Sequence, residues 1–323
     1  MAEQRTDLTR STATTTDALV AELRDGVVGE VRAQASLAEL TTLRVGGAAR
    51  VLVVAERDQD LAAVGAACRR HGVPWTVVGR GSNLLVADAG WPGVAIQLGR
   101  GFRSLEVTDG RVRAGAAEPL PALAMRVADA GLGGFAWACA VPGTLGGAVR
   151  MNAGAHGGQM ADHLVEVDVV RLHSGTRETW PVEALGLTYR HSSLPDDAVV
   201  VDATLQLRAG EPEAVKAEIR EIRGWRREHQ PLNEPNCGSV FTNPPDDSAG
   251  RLVEAVGGKD LVVGGARISD RHANFIVTSP GASAADVRTL IRQVRTRVQA
   301  RFGVRLRPEV AMLGDFDDGG LDP

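Results

Sequence analysis

An α+β fold is predicted for this chain of 323 residues by three features. Short apolar runs of strand length, such as Val51-Leu52-Val53-Val54 and Val199-Val200-Val201, alternate with stretches whose apolar residues recur at helical spacing. Two glycine-rich loops, 79–83 and 141–158, stand at strand ends. A composition shift at Ala209-Gly210-Glu211-Pro212 marks a domain boundary.

From the N-terminal side, Leu43-Arg44-Val45-Gly46-Gly47 leads into the strand 51–54, and Asp58 is placed to cap a helix carrying Leu61, Val64 and Cys68. Gly72 and Pro74 stop that helix. The strand 75–78 then runs into Gly79-Arg80-Gly81-Ser82-Asn83 and on into Leu84-Leu85-Val86. A dinucleotide fingerprint would open a helix after its glycines, so strand, glycine turn, strand is either a hairpin or a nest of backbone N–H groups for an anion. A helix over 119–130 presents Leu120, Leu123, Ala124 and Val127 on one face. The glycines of 141–158 suit either a tight sheet crossover or a phosphate cradle. Strands follow at 164–169 and 199–207, and an amphipathic helix over 213–229 turns Val215, Ile219 and Ile222 inward. Beyond it come a short helix at 252–256, a strand at 274–277, a long helix opened by a Ser283/Asp286 capping box and ended by Gly303, and a last strand at 304–310. Arg288, Arg292 and Arg295 read as the solvated face of the long helix. A nucleic-acid stripe would carry interleaved aromatics and a net basic charge.

Composition narrows the function classes. With 36 Lys and Arg against 40 Asp and Glu, the net charge of -4 attracts neither nucleic acid nor an anionic membrane. No apolar run is long enough to span a bilayer, and the first residues lack the apolar core of a signal peptide, so a soluble cytoplasmic protein is expected. Cys68, Cys139 and Cys237 form no Cys-x-x-Cys pair and the seven histidines are scattered, which predicts neither a disulfide framework nor a metal site.

Several ordered motifs, each weak alone, are similar to those of the UDP-N-acetylenolpyruvoylglucosamine reductases (MurB) of bacterial cell-wall synthesis: Arg44-Val45-Gly46-Gly47, Gly81-Ser82-Asn83-Leu84-Leu85-Val86, the stretch 141–158, Tyr189-Arg190, Gly238-Ser239-Val240-Phe241, His272-Ala273-Asn274-Phe275-Ile276-Val277 and Pro308-Glu309-Val310. The resemblance covers roughly 40–314. It implies a two-part FAD-binding module of the vanillyl-alcohol-oxidase (PCMH) type followed by a C-terminal α+β substrate-binding domain. The implied division is 1–17 an N-terminal tail, 18–105 and 106–208 the two FAD-binding subdomains, joined by the last strand within 304–314, 209–303 the substrate-binding domain, and 315–323 an acidic tail.

In that family NADPH passes hydride to flavin N5, and the flavin passes it to the enolpyruvyl ether of UDP-N-acetylglucosamine. FAD would be cradled by Gly79, Arg80, Gly81, Ser82, Asn83 and Leu84 and by Val141, Pro142, Gly143, Thr144, Gly146, Gly147, Ala148, Asn152, Ala153 and Gly154. Related oxidases tether flavin through a histidine in the first loop. Asn83 ends that loop here, implying dissociable FAD. The resemblance assigns Arg190 to the substrate carboxylate, Ser239 to proton donation and Glu309 to the same carboxylate's surroundings, with Tyr189, Arg226, Gln230, Asn236, Gly238, His272 and Asn274 as contacts to the UDP-sugar. His156 and Thr242 stand where family members often carry Tyr and Lys. Tyr189 is the only tyrosine, which implies the shorter subgroup without a tyrosine-bearing loop, and the enzyme is expected to be a monomer. Cys237 is read as a small buried residue. The other readings are a different FAD-dependent oxidoreductase on the same module and a nucleotide-sugar-binding homologue without catalysis.

Overall fold

The computed structural model describes residues 16–316; the polar N-terminal stretch before Thr16 and the tail beyond Phe316 lie outside the described residues. Two compact units emerge. One comprises residues up to Ala35, Ala49–Gly79 and Pro92–Pro212; the other comprises Ser36–Ala48, Arg80–Trp91 and from Glu213 onward. The two are interleaved along the chain.

The first unit contains a four-stranded sheet in the order Glu30–Ser36, Ala48–Ala55, Trp91–Leu98, Trp75–Val77, the last pair parallel. The helix Asp58–His71 and an N-terminal helix over 16–26 bury Leu19, Leu23, Leu61 and Val64 with Val51, Val53, Val94 and Ile96 in one apolar cluster. A five-stranded antiparallel sheet has the order Arg177–Pro181, Leu164–Arg171, Ala198–Gln206, Arg111–Gly115, Leu105–Thr108. Val170, Leu172, Val199 and Val201 join the same cluster. Helix Leu120–Asp129 buries the expected face, and Gly72, in the left-handed region, closes Asp58–His71 as expected.

Asp58 is not a cap. It is the first helical residue, and Asp60 holds this end instead. The Asp60 carboxylate, fully buried, accepts from the N–H groups of Val28 (3.1 Å) and Glu56 (2.9 Å) and pairs with Arg57 (3.0 Å). The spacing rule fails because the carboxylate two residues into the helix can reach main-chain donors from two separate segments.

In the second unit, the strands Val262–Val263, Ala266–Ile268 and Ile276–Thr278 form an antiparallel sheet. The long helix Ala284–Phe302 buries Val287, Leu290, Ile291, Val294 and Val298 in a cluster with Val240, Phe241, Leu252 and Ile276. Its capping box forms as expected: Asp286 N–H donates to Ser283 Oγ (3.1 Å) and Ser283 N–H to the Asp286 carboxylate (2.9 Å). Leu84–Val86 pairs in parallel with Ala311–Leu313.

Three expectations are corrected here. The last strand is Ala311–Leu313, and within 304–310 pairing is confined to an isolated bridge between Pro308 and Phe241. The loop 79–83 is not a hairpin, since the strand before it pairs with Trp91–Leu98 and the strand after it with Ala311–Leu313. Arg288 is not solvated. It is 4% exposed, with Nη1 2.9 Å from the Met312 sulfur and its guanidinium 4.5 Å from the centre of the Phe316 ring.

Burial raises the Asp60 pKa, but the hydrogen bonds from Glu56, Val28 and Arg57 outweigh it and hold the carboxyl below its ordinary 3.8. A depressed folded-state pKa contributes stability that is complete above the unfolded value and disappears as the pH falls through the folded one. Asp60→Asn sets an amide N–H against one of the two main-chain donors and is expected to cost about 2–3 kcal/mol at neutral pH. In urea unfolding the gap from the unsubstituted protein should narrow below pH 3.8.

Candidate active site

Within the first unit Gly79, where the first glycine loop begins, lies close to Thr144 of the second. A Cβ at Gly79 would lie 3.1 Å from Thr144 Oγ1, and the Gly79 carbonyl accepts from Gln97 Nε2 (3.2 Å). The 141–158 stretch is more than a tight crossover. It contains a short helix, Leu145–Arg150, capped by Thr144, and then a hairpin of Gly154–Ala155 and Gly158–Gln159 with His156 and Gly157 at the turn, both at positive φ. Two of its glycine-flanked N–H groups serve packing: Leu145 donates to Glu118 O and Gly146 to Ala116 O (both 2.9 Å). A Cβ at Gly146 would stand 2.9 Å from that of Ala116, so the approach needs glycine. Among the described residues the N–H groups of Gly143 and Thr144 have no acceptor.

Asn152 is 1% exposed, and its side chain is committed to protein. Nδ2 donates to Thr188 O (2.8 Å) and to Gln159 Oε1 (3.3 Å), while Oδ1 accepts from Ala161 N–H (2.9 Å). Thr188 and His191 close a two-residue turn whose tip is Tyr189-Arg190. Arg190 has φ 57°; its guanidinium donates to Gly154 O (2.8 Å) and lies 4.8 Å from the centre of the exposed Tyr189 ring. A cleft of about 490 Å³ in this unit, lined by Gly134, Gly157, Asp162, His163, Gln206 and Arg208 among others, contains none of the expected ligands. Burial lowers the pKa of His163 there.

The second unit brings Asn83, Ser239, Asn274 and Glu309 together. Among the described residues no main-chain or side-chain acceptor meets the N–H groups of Arg80, Gly81, Ser82 and Asn83, the donor-rich nest that an anion requires. Asn83 Nδ2 donates to Glu309 O (3.1 Å) and Ala311 N–H to Asn83 O (3.1 Å), so the loop end grips the segment carrying Glu309. Glu309 N–H donates in turn to Val240 O (2.7 Å). Ser239, the neighbour of Val240, is half-buried, and no hydrogen bond to its hydroxyl occurs among the described residues.

The remaining expected contacts divide by what their side chains do. Asn236 Oδ1 accepts from Gly238 N–H (2.9 Å), where Gly238 has φ 76°. Asn274 binds both main-chain groups of Phe241. His272 accepts from Asn274 N–H at Nδ1 (3.2 Å), with a pKa lowered by burial and by Lys259. Arg226 donates to Gln230 Oε1 (2.7 Å). Burial, together with the charge of Glu309, pushes the Cys237 thiol up to about 12, which leaves it inert. Thr242 pairs with Arg307 O through its N–H (3.0 Å). Gln97 and Gln159, which bond the Gly79 carbonyl and the Asn152 side chain, carry no signal in the sequence, each being a lone glutamine in a strand or hairpin.

Each unit thus carries main-chain N–H groups without an acceptor among the described residues, at 80–83 in one and at Gly143 and Thr144 in the other, as an anionic cofactor would need. Residues 49–179 match the family model of an FAD-binding domain, and 230–313 match the model of the C-terminal domain of UDP-N-acetylenolpyruvoylglucosamine reductase, which makes the chain an FAD-dependent oxidoreductase. It is 45% identical over 300 residues to the UDP-N-acetylenolpyruvoylglucosamine reductase of Heliobacterium modesticaldum, covering 91% of this chain and 95% of that one, and 46% identical over 303 residues to that of Anaeromyxobacter sp., covering 94% of each. The crystal structure of the Thermus caldophilus reductase (MurB) superposes with a TM-score of 0.77 at 37% identity, over 88% of this chain and all of that one. The chain belongs to the UDP-N-acetylenolpyruvoylglucosamine reductase family.

Gly81 tests the nest. At φ 60° it is buried, and a Cβ there would stand 2.1 Å from Leu40 O. Gly81→Ala must therefore move the loop. FAD affinity measured by flavin fluorescence titration is expected to fall at least about tenfold, the effect of 1.4 kcal/mol, with unchanged circular dichroism.

Proposed function

We propose that the protein catalyses the NADPH-dependent reduction of UDP-N-acetylglucosamine enolpyruvate to UDP-N-acetylmuramate, with non-covalent FAD as the hydride carrier. The observation that carries this reading is the placement of Ser239 beside Val240, whose carbonyl is bonded to Glu309 N–H, within a chain of this family. FAD, when bound, supplies a carrier that takes hydride from a nicotinamide and delivers it to carbon. The open N–H groups of residues 80–83 and of Gly143 and Thr144 suit the charge of its diphosphate, and none of the residues on the first loop could tether it covalently as a histidine would.

Hydride addition to the terminal carbon of the enolpyruvyl group breaks the C=C π bond and leaves an electron pair on the adjacent carbon, delocalised into the carboxylate. Arg190 holds that carboxylate, since a planar guanidinium donates two parallel hydrogen bonds and its charge grows in value as the enolate forms. Ser239 gives its hydroxyl proton to the carbon, which becomes the lactyl centre, and recovers a proton from water. The unbonded Ser239 hydroxyl suits this role, because no protein acceptor competes for its proton. Glu309, near the same carboxylate, acts in its protonated form as a donor to it. NADPH is oxidised by two electrons and the enolpyruvyl ether is reduced by two.

Separating the half-reactions tests these roles. In stopped-flow absorbance, Ser239→Ala should leave flavin reduction by NADPH intact and slow its reoxidation by the enolpyruvyl substrate by roughly 10²- to 10⁴-fold. Equal slowing of both halves contradicts the assignment. Arg190→Ala should show the same confinement to the second half-reaction, and normal turnover in that variant would falsify its place in the site.

A further inference from the structure

Among the described residues Ser239 makes no hydrogen bond, yet the residues on either side of it are clamped. Before it, Gly238 N–H is held by Asn236 Oδ1. After it, Val240 N–H donates to the main-chain oxygen of Asn274 (2.9 Å), Phe241 N–H donates to Asn274 Oδ1 (3.0 Å), and Asn274 Nδ2 donates back to Phe241 O (2.8 Å). Asn274 is 4% exposed and Phe241 2% exposed. The carboxamide presents the donor and acceptor edge of a peptide and replaces a strand partner for Phe241. On the opposite side of the same segment, Val240 O accepts from Glu309 N–H and Phe241 bridges Pro308.

We propose that Asn274 is a positioning residue, which fixes Ser239 by pairing with the 240–241 main chain that follows it. The proposal rests on the role given to Ser239 above. Asn274 was expected from sequence to contact the UDP-sugar; its amide is engaged with Phe241, so its influence on substrate reaches the reacting carbon through Ser239. No other described side chain bonds the Phe241 main-chain groups, so removing the carboxamide leaves a buried N–H and C=O unpaired and frees the segment to shift. A displacement on the order of an ångström at a proton donor is enough to cost about a hundredfold in rate.

The test is a double-mutant cycle on the FAD-loaded enzyme with Asn274→Ala, Ser239→Ala and both together, reading the two half-reactions separately. Asn274→Ala should slow reoxidation by the enolpyruvyl substrate about tenfold to a hundredfold, leave flavin reduction by NADPH within about twofold, and add nothing in the Ser239→Ala background. Amide exchange in the FAD-free protein should quicken at Val240, Phe241 and Glu309. Equal slowing of both half-reactions, or full additivity with Ser239→Ala, overturns the role of Asn274. If Ser239→Ala alone leaves reoxidation unchanged, the role of Ser239 is what fails, and the two failures are thereby distinguished. Should Asn274→Ala fold poorly, Asn274→Asp, which keeps the shape and the acceptor for Phe241 N–H but sets a carboxylate oxygen against the Phe241 carbonyl, goes through the same cycle with the same expected and overturning results.

Discussion

The main chain of Val240 and Phe241 is the constraint on which the second unit's chemistry depends. Its two edges are taken by different partners: Asn274 on one, the 307–309 segment on the other. Neither partner belongs to a regular sheet with it, and the contacts are made one bridge at a time. Such pairing places a serine with the accuracy of a strand while leaving its hydroxyl unbonded. A longer ladder would give the same accuracy but would bring a neighbouring strand's side chains alongside Ser239.

Asn83 extends this constraint to the cofactor loop. Its side chain and its carbonyl bind the main chain of Glu309 and Ala311, so the nest over 80–83 and the segment carrying Glu309 cannot move independently. The parallel pairing of Leu84–Val86 with Ala311–Leu313 continues the same tie. One short piece of chain thus ties the unbonded N–H groups of 80–83 to the main chain of Glu309. In the first unit Asn152 acts in the same way, joining the hairpin after the glycine helix to the turn that carries Arg190.

Much of this was legible in the sequence, for physical reasons that differ by element. The long helix and its capping box were readable because cap, apolar period and terminal glycine are all local signals. The glycine loops were readable as loops, but not what each glycine does: whether Gly146 serves packing and Gly81 a turn depends on Ala116 and Leu40, distant in sequence. The final strand was displaced from 304–310 to Ala311–Leu313 because the apolar alternation Val304, Leu306, Val310 reports burial, while the ladder partner, Leu84–Val86, decides where pairing begins. Arg288 was misplaced for a related reason. Three arginines on one helix look solvated until the rest of the unit is in view, and Met312 and Phe316 lie far along the chain.

The asparagines expose the deeper limit of reading a site from residue types. Asn83, Asn152, Asn236 and Asn274 were all expected to touch a ligand, because the family resemblance places them in its cofactor and substrate motifs. In each case the structure engages the side chain with protein, three of them with peptide groups one to three residues from a catalytic candidate or on the turn that bears it. The carboxamide is the only side-chain group with the peptide's own pair of donor and acceptor, so irregular segments recruit it as substitute backbone. The main-chain N–H groups of 80–83, Gly143 and Thr144 and the Ser239 hydroxyl make no hydrogen bond among the described residues, whereas the Arg190 guanidinium is itself held by Gly154 O. A motif rich in carboxamides is therefore, in large part, a frame that fixes the surrounding main chain.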